Sequence, residues 1–179
     1  FYFDDINKSK EIKFLGNYAG KVNKINEYKA IPFIVAIGDN NKRKEIFFEL
    51  IKKKYKIISL IHPSSFVSKY AKIGKGTAVM PKTVINASTK ISNSCIINTS
   101  SSIDHDCSIN SFCHICPGVN IAGGVKIGKM SFIGIGSKII QNIRIGSNVT
   151  IGAGTILYKD ISSNTKYYNS QNTIINEKK

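Results

Sequence analysis

Arginine is almost missing from this chain. Of 26 basic residues only Arg43 and Arg144 are arginine, set against 11 acidic residues and a net charge of +15. The lysines are spread out rather than clustered with aromatics, which argues against nucleic-acid binding. A diffuse positive field still attracts a small phosphate-bearing ligand. Histidine is also scarce, at His62, His105 and His114 only. Zinc needs three or four convergent ligands, and His62 lies far from the other two, so no metal is expected. No apolar run approaches the roughly 18 residues of a membrane span, and no signal-peptide pattern occurs; neither a membrane nor a secreted setting is expected.

What the sequence does contain is a repeat. Seventeen hexads run from Ile61 to Ser162, and each opens on Ile, Val or Leu, from Ile61, Val67 and Ile73 through Ile151 and Leu157. The fifth position holds only small or β-branched residues, such as Thr77, Thr83, Cys95, Cys107, Val119 and Ser131. A period of six fits neither an amphipathic helix nor an alternating strand. It fits a short strand and a corner repeated three times per turn, giving coils of 18 residues on a triangular prism, a repeat of the parallel β-helix kind. The aliphatic column fills the axis, and the fifth residue points inward beside a corner. Gly74, Gly128, Gly134, Gly146 and Gly152 follow the aliphatic residue, where a corner favours the absence of Cβ. Of the four cysteines, Cys95, Cys107 and Cys113 sit in the inward column. Packing accounts for them better than disulfides, and a cytoplasmic setting follows.

The flanks are less regular. Phe1–Phe3 reads as a strand delivering Asp4 and Asp5 at its end. Ile31–Ile37 is the apolar run of a buried parallel strand, Gly38-Asp39-Asn40 a turn with a helix N-cap, and Asn41 to Lys54 a helix facing inward with Ile46, Phe47, Leu50 and Ile51. Lys56–Ile61 is a further strand. This βαβ unit is half of a nucleotide-binding domain without its first strand and Gly-rich turn, so the chain reads as an N-terminally truncated fragment. The expected domains are residues 1–60, a partial Rossmann-like α/β part; 61–162, the prism; and 163–179, a polar tail.

Chemistry is sought where the columns are interrupted. In Ser102-Ile103-Asp104-His105-Asp106-Cys107 the inward residues are Ile103 and Cys107, which leaves Asp104, His105 and Asp106 outside. One coil below His105 is Ala87 and one coil above is Gly123, so the imidazole occupies a notch beside carboxylates and open backbone N–H groups. A functional histidine and a solvated corner histidine both fit that pattern. His114, between Ile96 and Phe132, is either packed on an apolar column or a ligand's hydrogen-bond partner. Asp4 and Asp5 either bind an acceptor or merely end a strand.

The order βαβ, His62-Pro63, then Asn98-Thr99-Ser100-Ser101-Ser102-Ile103-Asp104-His105-Asp106-Cys107, Pro117-Gly118-Val119 and Ala122-Gly123-Gly124-Val125-Lys126-Ile127-Gly128 resembles the NeuD/PglD-type sugar acetyltransferases. The resemblance implies a left-handed β-helix, a homotrimer with sites between prisms, and acetyl transfer from acetyl-CoA to a sugar amine or hydroxyl, with no metal. A UDP-4-amino-sugar is the first acceptor implied, sialic acid the alternative, and a non-catalytic coenzyme-binding remnant the third reading. The family's catalytic histidine matches His105, its acidic partner Asp106 and its upstream asparagine Asn98. Coenzyme contacts match His114, Gly123, Ile135 and Ala153; the nucleotide-sugar end matches Asp4, Asp5, Gly38 and Asn40. Two departures stand out: the first Gly-rich turn is missing, and Tyr167-Tyr168-Asn169-Ser170 replaces the usual ending.

Overall fold

A computed structural model describes residues 2–3, 18–20, 31–168 and 174–175. The chain falls into two compact units, Phe1–Pro32 and Phe33–Lys179. In the first, β1 (Tyr2–Phe3) pairs in parallel with β2 (Tyr18–Gly20). Asp4 and Asp5, expected at the end of β1, lie outside the described residues.

In the second unit a strand–helix–strand outline precedes the prism, in reduced form. Its helix α1 runs Asn40–Lys52, capped by Asp39, whose side chain accepts the Lys42 N–H at 2.7 Å. The flanking strands amount to one parallel bridge, Phe33 to Ile57. The division at Pro32, rather than at residue 60, has a packing cause. Phe47 of α1 stacks edge-on against Phe112 of the prism at 5.5 Å, and Arg43 reaches prism carbonyls, so the helix is bound to the repeat. Ile46, Phe47 and Leu50 are buried as the pattern requires, but Ile51 is 44 % exposed and the fourth inward residue is Arg43. Each full apolar burial of this kind contributes about 1.5–3 kcal/mol.

The prism has seventeen two-residue strands from β3 (Leu60–Ile61) to β19 (Ile156–Leu157), each ending on one of the aliphatic hexad residues. They stack in parallel as three sheets with an 18-residue register, so Ser102 pairs with Val84 and Asn120, and Ile103 with Ile85 and Ile121. Outward residues define three faces. The first carries Ala78, Ile96, His114, Phe132 and Thr150; the second Phe66, Val84, Ser102, Asn120, Lys138 and Ile156; the third Lys72, Lys90, Ser108, Lys126 and Arg144. Inward, Ile85, Ile97, Ile103, Ile109, Ile115 and Ile133 are completely buried.

The fifth position is narrow for a second reason besides volume. Its hydroxyl or thiol donates to a carbonyl fifteen residues on: Thr77 to Ser92, Thr83 to Asn98, Thr89 to Asp104, Cys95 to Asn110 and Cys107 to Ala122. Each column of small side chains therefore satisfies corner carbonyls of the coil above, which a buried corner requires. The corner glycines have a reason of their own as well. A Cβ on Gly128 would come within 2.5 Å of the Gly146 carbonyl carbon, so it is the approach of the next coil that demands glycine there.

The register changes after Leu157. Ile161 bridges Ile145, and β20 (Lys166–Tyr167) pairs with Thr150–Ile151, a spacing of sixteen rather than eighteen. Ile161, a fifth-position residue in the hexad count, thus takes an axial place. The winding continues beyond residue 162, and β21 (Ile174–Ile175) adds antiparallel to β20.

Candidate functional site

Two loci emerge, on different corners. At the corner between the second and third faces, the His105 Nδ1 lies 2.8 Å from the Asp106 Oδ2. Asp106 has φ +58°, the left-handed conformation that the fourth hexad position adopts at corner after corner, and it tips its carboxylate back onto the ring. The His105 N–H donates to the Asp104 Oδ1 at 2.8 Å, and Asn86 one coil below donates to the same oxygen at 2.9 Å. Those two donors hold the Asp104 carboxyl below its ordinary pKa, the Asn86 bond first. The Asp106 hydrogen bond, then the charge of Asp104, raises the pKa of His105. With Nδ1 engaged, Nε2 is the nitrogen left to exchange a proton with a ligand.

The notch expected from the 18-residue spacing is present. The Asp106 N–H donates to the Ala87 carbonyl and the Gly124 N–H to that of His105, so the coils below and above clamp the corner. The ring lies against Gly123: an added Cβ would meet its Cε1 at 2.7 Å and its Nε2 at 2.8 Å. Since Gly124 is committed to the His105 carbonyl, the Gly123 N–H is the donor left without a protein partner beside the imidazole. Replacing Gly123 with Ala should swing the exposed ring out of place, because the ring is the neighbour free to move. Activity should fall at least ten-fold with an unchanged melting temperature; comparing kcat/KM with the melting curve checks this.

The second locus is on the first face. His114 Nδ1 is 3.3 Å from the Gly38 carbonyl, and Nε2 is 3.2 Å from Asn98 Nδ2. One tautomer satisfies both contacts: Nδ1–H donates to Gly38 and Nε2 accepts from Asn98. Burial lowers the His114 pKa, the Gly38 bond opposes it, and the Arg43 charge lowers it further. Gly38, Asn40, His114, Phe132, Asn148 and Thr150 line a pocket of about 440 Å³ at the α1 N-terminus. Asn98, matched by resemblance to the family's upstream asparagine, contacts His114. It stands at the corner between the first and second faces, where Ile135 and Ala153 stack in successive coils. Of the four residues matched to the coenzyme, Gly123 joins His105, His114 joins Gly38 and Asn40, and Ile135 with Ala153 form an exposed corner strip.

Arg43 is the residue that sequence reasoning passed over. It is fully buried, and its guanidinium donates to the carbonyls of Ser94, Ile37, Gly38 and Phe112 at 2.8–3.0 Å and to the Asn40 Oδ1 at 2.5 Å. It thereby fixes the turn that meets His114. Cys107, nearest the His105 corner, is buried; burial pushes its thiol pKa up, and its Sγ donates to the Ala122 carbonyl. It offers no thiolate to a substrate.

The chain is thus a parallel hexapeptide prism with a histidine–carboxylate pair at one corner. Residues 124–159 match the bacterial transferase hexapeptide (six repeats) family model. The acetyltransferase domain of PglB from Neisseria gonorrhoeae, in complex with acetyl coenzyme A, is 32 % identical, with a TM-score of 0.90 over 98 % of this chain and 84 % of that one. A variant of perosamine N-acetyltransferase from Caulobacter crescentus, in complex with CoA and GDP-perosamine, is 30 % identical, with a TM-score of 0.85 over 90 % of this chain and 78 % of that one. UDP-N-acetylbacillosamine N-acetyltransferase of Bacillus subtilis is 46 % identical over 50 residues, 28 % of this chain and 23 % of that protein. The matched stretch thus spans about a quarter of that curated relative. The chain belongs to the hexapeptide-repeat family that contains these sugar N-acetyltransferases, with their left-handed β-helix.

Proposed function

We propose that the chain acetylates the amine of a nucleotide-linked amino sugar, with acetyl-CoA as donor and His105 as general base. The observation that carries this reading is the His105–Asp106 pair seated on Gly123, within a fold shared with solved acetyltransferases bound to CoA and GDP-perosamine. The relatives' N-acetyl chemistry favours an amine over a sialic acid hydroxyl as acceptor.

In this mechanism Asp106 holds His105 in the tautomer that leaves Nε2 free to accept a proton. The acceptor amine attacks the thioester carbonyl as Nε2 takes its proton. The Gly123 N–H is the candidate donor to the oxygen that develops negative charge. Collapse expels the thiolate of coenzyme A, which takes the proton back from the His105 imidazolium as it leaves, and the acetyl group remains on nitrogen. No covalent acetyl-enzyme is required, in keeping with the buried Cys107.

His114, Asn98, Ile135 and Ala153 act on coenzyme and acceptor from the other locus, together with Gly38 and Asn40; Asp4 and Asp5 are assigned to the acceptor end. Because the His105 corner and the Asn98 corner bound opposite edges of the second face, a site using both is most simply assembled from two neighbouring prisms. A homotrimer acting in the cytoplasm completes the reading, and sedimentation equilibrium tests the assembly.

The functional test measures coenzyme A release from acetyl-CoA against UDP- and GDP-linked amino sugars and sialic acid. Release that depends on an amino-sugar nucleotide supports the proposal; release with sialic acid alone, or none at all, overturns it. The pH dependence supplies a second check. A base must be neutral to act, and Asp106 raises the His105 pKa, so kcat/KM should fall as pH drops through a value above 6.5, the ordinary one. Asp106→Asn removes the largest cause and should move that acid limb to lower pH. An unmoved limb assigns the titration to another group.

A further inference from the structure

We propose that the third face of the prism is a diphosphate-binding surface centred on Lys90, Ser108 and Lys126. The outward row there is Lys72, Lys90, Ser108, Lys126, Arg144, in direct register from coil to coil. Rungs are about 4.8 Å apart, and like charges directly opposite one another destabilise a sheet. Four cations in five rungs are not a consequence of a lysine-rich composition, because the second face carries only Lys138 among its six outward residues. Within the row itself there is no carboxylate to offset the charge.

The row borders a cavity. Lys72, Lys90, Ser108, Lys126, Tyr70 and Asp106 line about 610 Å³ that opens beside the corner of His105. Asp106, the acid on this wall, is held by the imidazole 2.8 Å away. Ser108 is the short rung between two lysines, so an anion can descend to its hydroxyl while both ammonium groups close over it, roughly 10 Å apart at the backbone. The wall of the cavity nearest the His105 corner is Asp106, the carboxylate that holds Nδ1 of the imidazole. The identity of the ligand rests on the acetyl-transfer reading, since coenzyme A and a nucleotide sugar both carry a diphosphate; the binding surface itself does not.

Inorganic pyrophosphate is the first probe, titrated calorimetrically into the full chain at low ionic strength. Binding should weaken at least ten-fold in Lys90→Gln/Lys126→Gln, weaken with added salt, and stay unchanged in Lys138→Gln on the second face. Equal binding by wild type and the double variant, whose melting temperatures should match, overturns the proposal. Coenzyme A and UDP are then titrated separately, and the one whose affinity falls in the double variant is the occupant. If neither falls, the surface does not serve a substrate diphosphate and that assignment is withdrawn. Acetyl transfer is not the readout: an inactive wild type that loses pyrophosphate binding on substitution defeats the proposed function and leaves this site standing.

Discussion

His105→Ala should lower kcat by about 10²–10⁴-fold, the range general-base catalysis supplies, while leaving the fold intact. The two halves of this expectation have separate causes. The imidazole is 61 % exposed, its side-chain bond is to Asp106, and it fills no part of the core, so removing it opens no cavity. The main-chain bonds that clamp the corner, from the Asp106 N–H to Ala87 and from the Gly124 N–H to His105, survive truncation. On the proposed mechanism what is lost is the acceptor for the amine proton, and Asp104 does not replace it, being engaged by Asn86 and the corner backbone. Binding of coenzyme A should persist, which separates loss of chemistry from loss of the site. A variant with wild-type turnover removes the general-base assignment, and one with a lowered melting temperature calls for His105→Gln in its place.

How much of this was legible beforehand depends on the length scale. The prism was, because one aliphatic column in an unbroken six-residue phase admits one stacking and fixes the neighbours of every residue. Ala87 and Gly123 about His105 are neighbours by arithmetic, and the structure has them there. Three things were not. The shortening after Leu157 breaks the phase without any glycine or proline to mark it, so Ile161 counts as a corner residue until its bridge to Ile145 is seen. The contact of Asn98 with His114 joins residues sixteen apart, two short of the 18-residue register, so the column arithmetic does not pair them. And Arg43 entered the sequence reading only as one of two arginines, with no place assigned to it on the helix. The signal that could have found it is chemical: arginine kept at the inward helical spacing, three residues before Ile46 and four before Phe47, in a chain with one other arginine, Arg144.

Arg43→Ala should destabilise the chain by about 3–5 kcal/mol, since each buried acceptor left unpaired costs about 1–3 kcal/mol. A guanidinium has five N–H groups. All five are taken up here by carbonyls of Ser94, Ile37, Gly38 and Phe112 and the side chain of Asn40, in a position with no exposed surface. Those acceptors belong to two separate pieces of chain: Ser94 and Phe112 to successive prism coils, Ile37, Gly38 and Asn40 to the turn that opens α1. Truncation leaves both without their donor and removes the packing of the side chain's stem. The damage should be local, because each coil of a solenoid leans mainly on its neighbours. Hydrogen exchange should therefore speed up in α1 and in the Gly38–Asn40 turn while the axial Ile103 and Ile133 amides stay protected. His114 loses the fixed Gly38 carbonyl that held its Nδ1 proton, so if His114 meets the coenzyme as proposed, coenzyme affinity should fall as well. Arg43→Lys keeps the charge but not the planar fork, and should recover only a minor part of the loss. Chemical denaturation with parallel hydrogen exchange decides the matter. A loss below about 1 kcal/mol, within the range of ordinary surface substitutions and small repackings, means that the helix is held to the prism by Phe47 and Phe112 rather than by the arginine.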